Sequence, residues 1–124
     1  MAIVSFDKDT TVEYIPEYAG NRDSDSPCVV RLRFVPYSKV RHYARLLQAR
    51  THGVTDPERV FEIAQEIQKK EFVESVESIS GFYVGEREVR EPEEFYDVAP
   101  ARLVYEILEA MEDQQKLLEG QRKN

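Results

Sequence analysis

The chain has 124 residues and a formal net charge of −7, with 41% hydrophobic and 33% charged residues, seven Tyr, six Phe and no Trp. That length suits one domain spanning residues 1–124 with a thin core, which a homo-oligomer would thicken. The negative field repels phosphate backbones and anionic lipid heads, which argues against nucleic acid and membrane surfaces as primary partners.

Cys28 is the only cysteine, so there is no intrachain disulfide framework and no multi-thiolate metal site. No run approaches the roughly twenty apolar residues of a membrane helix. The opening MAIVSFDKD has no basic run ahead of its apolar residues. A reducing cytoplasm is the expected compartment.

Taken in chain order, TVEYI at residues 11–15 alternates, is rich in β-formers and stops at Pro16, which predicts a strand. EYAGNRDSDSP collects turn residues, so residues 17–27 are expected to form a flexible loop. CVVRLRF follows, with Cys28, Val30, Leu32 and Phe34 on one face and Arg31 and Arg33 on the other. A loop of this length returns the chain antiparallel, since a helical crossover needs more residues.

Ser38 is placed to cap a helix over 38–50 with the stripe Val40, Tyr43, Ala44 and Leu47, closed by Gly53. Asp56 and Pro57 open a second helix with Val60, Phe61, Ile63, Ala64 and Ile67, running to about Glu71. Residues 76–89 suit a short hairpin or extended segment turning near Gly85 and Glu86. PEEFY predicts a single turn. Pro100 opens the third main helix, with Leu103, Val104, Ile107, Leu108, Met111 and Leu118 inward, Glu106, Glu109, Glu112 and Asp113 outward, and Val98 stapled onto Leu103. Gly120 ends it before a tail, 120–124, expected to be disordered. The fold class is α+β: an N-terminal antiparallel strand pair, then a helical region.

Charge divides the chain. Residues 27–55 hold Arg31, Arg33, Lys39, Arg41, Arg45 and Arg50 and no acid, whereas from Asp56 to Glu119 acids outnumber Lys and Arg by 18 to 7. The simplest reading is that the basic strand and helix neutralise the acidic helices, within the fold or between subunits.

No reaction machinery emerges. His42 and His52, ten residues apart, cannot face one point on a straight helix, and Arg41 and Arg45 repel a cation from His42, so no metal or cofactor is expected. Cys28 on a core-facing strand position reads as a small hydrophobe rather than a nucleophile. Glu93 with Glu94, and Glu112 with Asp113, are neighbours that point apart on a helix, without an apolar surround to shift a pKa. GFYVGE lacks the helix context or Lys-Ser/Thr pair of a phosphate cradle. Without Trp, the core must draw on Tyr14, Tyr18, Phe34 and Phe95. Tyr37, Phe82, Tyr83 and Tyr96 are candidates to line a partner groove instead.

Three stretches carry a family resemblance: VEYIPEYAGNRDSDSPCVVRLRFVPYSKVRHY; the Val76, Ile79, Gly81 spacing followed by a glycine turn and Glu94-Phe95; and the last helix after a proline, ending in Leu, Glu, Gly and Lys-Asn. Together they resemble the small tail assembly chaperones of long-tailed bacteriophages and prophages, with Phe82 and Tyr83 standing where many relatives have a Trp. The resemblance implies a non-catalytic cytoplasmic protein that coats the helical tape measure protein and recruits tail tube subunits. It implies a groove between helices 38–50 and 100–118, with Leu46, Leu47, Tyr105 and Leu108 as contacts. A structural tail or head-to-tail connector protein, or a small prophage-encoded regulator or enzyme, are the alternatives.

Overall fold

The structure, a computed structural model, describes residues 11–33 and 35–113. Strands β1 (Thr11–Tyr14) and β2 (Val29–Arg33) pair antiparallel, as expected, with Val12 opposite Leu32 and Tyr14 opposite Val30. Between them a 3-10 turn, Tyr18–Asp23, occupies the stretch expected as a flexible loop. Asn21 ties the two ends of that stretch together, donating to the carbonyls of Pro16 (2.9 Å) and Cys28 (3.0 Å) and accepting from the Cys28 N–H (2.8 Å).

Helices α1 (Tyr37–Thr51) and α2 (Pro57–Ser75) form an antiparallel hairpin. Its turn uses Gly53 at φ 77°, and Asp56 caps α2 by accepting from the Glu58 N–H at 3.1 Å. Two details differ from the sequence reading. Helix α1 starts at Tyr37 without a side-chain cap, the Pro36 carbonyl taking the Lys39 and Val40 N–H groups. Helix α2 runs four residues past Glu71, because Phe72 turns its last turn into the main core.

The sheet also has a third strand. Helix α2 passes directly into β3 (Val76–Ser80), which pairs antiparallel with β2, giving the order β1-β2-β3 rather than a strand pair. Val76 and Ile79 are three residues apart, which breaks the period of two that marks a strand. A bulge reconciles them: Leu32 faces Val76 and Val30 faces Ile79, leaving one extra residue on β3 and both apolar side chains inside. The two-residue strands β4 (Tyr83–Val84) and β5 (Arg87–Glu88) form the expected hairpin around Gly85 and Glu86.

PEEFY extends to a helix, α3 (Pro92–Val98), which drives Phe95 into the core. The last helix, α4 (Ala101–Glu112), buries Leu103, Val104, Ile107, Ala110 and Met111. Val98 is exposed and Ala99 packs inward in its place, so the expected staple onto Leu103 does not form. Phe34, Leu118 and the tail lie outside the described residues.

The main core lies between the sheet, the end of α2, α3 and α4. Phe72 and Phe95 stack with centroids 6.0 Å apart, and Phe82 meets Phe95 edge-on at 4.7 Å. A smaller cluster of Tyr43, Ile63 and Ile67 joins the helical hairpin. Each fully enclosed side chain contributes about 1.5–3 kcal/mol, so the large cluster dominates stability.

Candidate functional site

Helix α1 is fifteen residues long and buries only Tyr43, with Leu46 half-buried beside it. The expected stripe Val40, Tyr43, Ala44 and Leu47 does not turn to one surface as a unit. Instead the helix is rolled so that Tyr43 and Leu46 meet α2, which leaves Val40, Ala44 and Leu47 exposed. The roll brings Lys39 and the Tyr43 hydroxyl onto the Glu74 carboxylate and Arg50 within 2.8 Å of Glu66. Lys39 and Tyr43 hold Glu74 below the usual carboxylate range, and burial with the Glu74 bond pushes the Tyr43 hydroxyl up. The basic helix thus leans on the acidic one, the arrangement anticipated from the charge division.

The exposed apolar residues of the hairpin line up. On α1 the steps from Tyr37 to Val40, Ala44 and Leu47 keep one face; on α2 Phe61, Ala64, Gln68, Glu71 and Ser75 do the same. Tyr37 is 68% exposed, Phe61 64%, Val40 46% and Leu47 36%. At the end where α4 approaches, this face deepens into a groove of about 380 Å³. Tyr37 and Val40 form one wall, Leu108 and Met111 the other, and Gln68, Glu71 and Ser75 the floor. Tyr96 is not in the lining: it packs on Phe72 and donates to Gln68 at 3.0 Å from the main-core side.

Glu71 is the unusual group here. It has no hydrogen bond or ion pair among the described residues; partial burial, reinforced by the neighbouring Glu112 charge, pushes its carboxyl up. Across the apolar stripe, on the ridge of α1 turned away from α2, Arg41 and Arg45 also lack an ion pair among the described residues. Relative to the α1 stripe, the side formed by the groove floor and the α4 wall is therefore acidic and the opposite side basic.

The candidate residues separate into groups. Tyr37 and Leu108 line the groove, Leu47 continues the α1 stripe beyond it, and Tyr96 packs on Phe72 against the main core. Tyr105 is exposed one turn before Leu108, and Leu46 belongs to the small hairpin cluster. Phe82 packs on Phe95, while Tyr83 stands exposed on the β4–β5 hairpin, so these two are not brought to the groove. Val40, Phe61 and Glu71 are added. Nothing in their spacing distinguishes them from core or solvent positions, because exposure follows from how α1 rolls.

Other candidates resolve structurally. Cys28 is buried and its thiol is pushed up to about 11 by that burial. Among the described residues no group of three His, Cys, Asp or Glu could hold a metal ion, and no helix is long and apolar enough to cross a membrane. Glu106, expected on the outer face, accepts from the Tyr14 hydroxyl at 2.5 Å and from the Glu17 and Tyr18 N–H groups at 2.6 and 3.1 Å. It anchors the 3-10 turn to α4. Comparison with protein-family models, curated proteins and solved structures finds no match to this chain.

Proposed function

We propose that this chain is a non-catalytic protein-binding domain that takes an apolar helical segment of another protein along the α1–α2 face. The observation that carries the reading is the alignment of exposed Tyr37, Val40, Leu47 and Phe61 with the groove under α4. A soluble domain leaves such a face open where something covers it, and a trough between helices suits a helix. The particular role implied by the family resemblance is tail assembly chaperone: holding the tape measure protein in the host cytoplasm, and recruiting tube subunits, before the tail matures.

Co-expression with the tape measure protein tests this. The chain is expected to co-purify with it, and the Val40→Asp/Leu47→Asp pair to abolish capture while leaving the fold intact by circular dichroism. Capture that survives both substitutions overturns the proposal. Mass spectrometry of purified virions checks the role separately, since persistence in the particle favours a connector.

A further inference from the structure

The two sides of the α1 stripe specify more than an apolar occupant. The stripe from Tyr37 to Leu47 is about 15 Å long, enough for three turns of a docked helix. Glu71 and Glu112 stand on one side of it without cationic partners, and Arg41 and Arg45 on the other without anionic ones, among the described residues. Glu71 already bears a desolvation cost and a like charge nearby, so an apolar segment laid over it would worsen both. A cation carried by that segment reverses the sign.

We infer that the occupant is an amphipathic helix of another chain with Lys or Arg along one margin of its apolar stripe and Asp or Glu along the other. Its basic margin meets Glu71 and Glu112, and its acidic margin meets Arg41 and Arg45. This rests on the helix-binding reading above and deepens it. Turning such a helix end for end exchanges its margins, so the charges also fix its N-to-C direction. A second copy of this chain fits poorly. A two-fold along the stripe would match the charges of two copies, but two troughs facing each other leave a void, whereas a helix fills one.

The test uses two designed eighteen-residue helical peptides with one apolar stripe, one bearing Lys and Glu margins and the other Gln on both. Each is titrated into the full chain by fluorescence anisotropy at low and high salt. The charged peptide is expected to bind about tenfold tighter at low salt, with the advantage shrinking as salt rises. The Glu71→Gln/Glu112→Gln and Arg41→Gln/Arg45→Gln pairs should each remove most of that advantage, the acidic pair in part by tightening the Gln peptide, which then no longer covers an uncompensated charge. Equal affinity for both peptides overturns the charge pattern but leaves helix binding standing. Failure of both peptides to bind overturns the helix-binding reading itself. Sedimentation showing a dimer that excludes the peptides assigns the face to a second copy and overturns the inference.

Discussion

The core beneath the sheet and the far end of the helical hairpin are built to different standards. Val30, Leu32, Phe72, Phe95 and Ile107 are wholly enclosed, whereas α1 commits one residue of its fifteen to the interior. Stability concentrated in the first region frees the second to carry an apolar face that its own fold does not consume. The arrangement follows from α2, whose Ile63 and Ile67 serve the hairpin while Phe72, on a different side, serves the main core.

The sharpest way to break this comparison is to truncate one aromatic in each region. Phe95→Ala should cost about 3–5 kcal/mol in urea denaturation, because its cavity lies among rigid neighbours, and Phe61→Ala no more than about 0.5 kcal/mol. Similar losses at the two positions would remove the distinction. Glycines extend it to the backbone. Both Gly81 and Gly53 have positive φ, but a Cβ at Gly81 would lie 2.7 Å from the Pro27 carbonyl oxygen, whereas at Gly53 it meets nothing within 4 Å. Gly81→Ala is therefore expected to cost about 2–4 kcal/mol and Gly53→Ala about 1 kcal/mol by thermal melting.

A smaller effect belongs to Glu106. Its removal leaves two N–H groups and the Tyr14 hydroxyl without their acceptor, so Glu106→Ala should cost about 1–3 kcal/mol, against about 0.5 kcal/mol or less for exposed Glu109→Ala. The subtlest test is alkaline pH. Burial, and then the Glu106 bond, push Tyr14 from its ordinary 10.0 up to about 12. Its contribution is intact below pH 10 and is lost as pH rises through about 12, so stability should fall across that window. Tyr14→Phe should flatten the fall without abolishing it, because Tyr43 and Tyr96 are raised in the same sense.

Much of the fold was legible because local rules and tertiary packing agreed. Pro16 ends β1, Asp56 and Pro57 start α2, and Gly85 turns the hairpin, each for a reason contained in a few residues. The extended character of residues 76–89 was legible, but not the pairing of β3 with β2, because its bulge breaks the alternation that would assign a face. The candidate site was half legible. Tyr37, Leu47 and Leu108 could be named as aromatic or apolar residues near helix ends, but their common face depends on the roll of α1. That roll brings Tyr43 onto Ile63 and Ile67 and, with Lys39, onto Glu74, all on the following helix. No window along the chain contains that information.

The Glu106 anchor has a temporal consequence. Tyr14 and Tyr18 are secured by a group 92 and 88 positions further along. At ordinary rates of translation that group follows them out of the ribosome roughly five to twenty seconds later. Throughout that interval the first hairpin of the nascent chain must persist without its fastening, and only the arrival of the last helix completes what the first strand began.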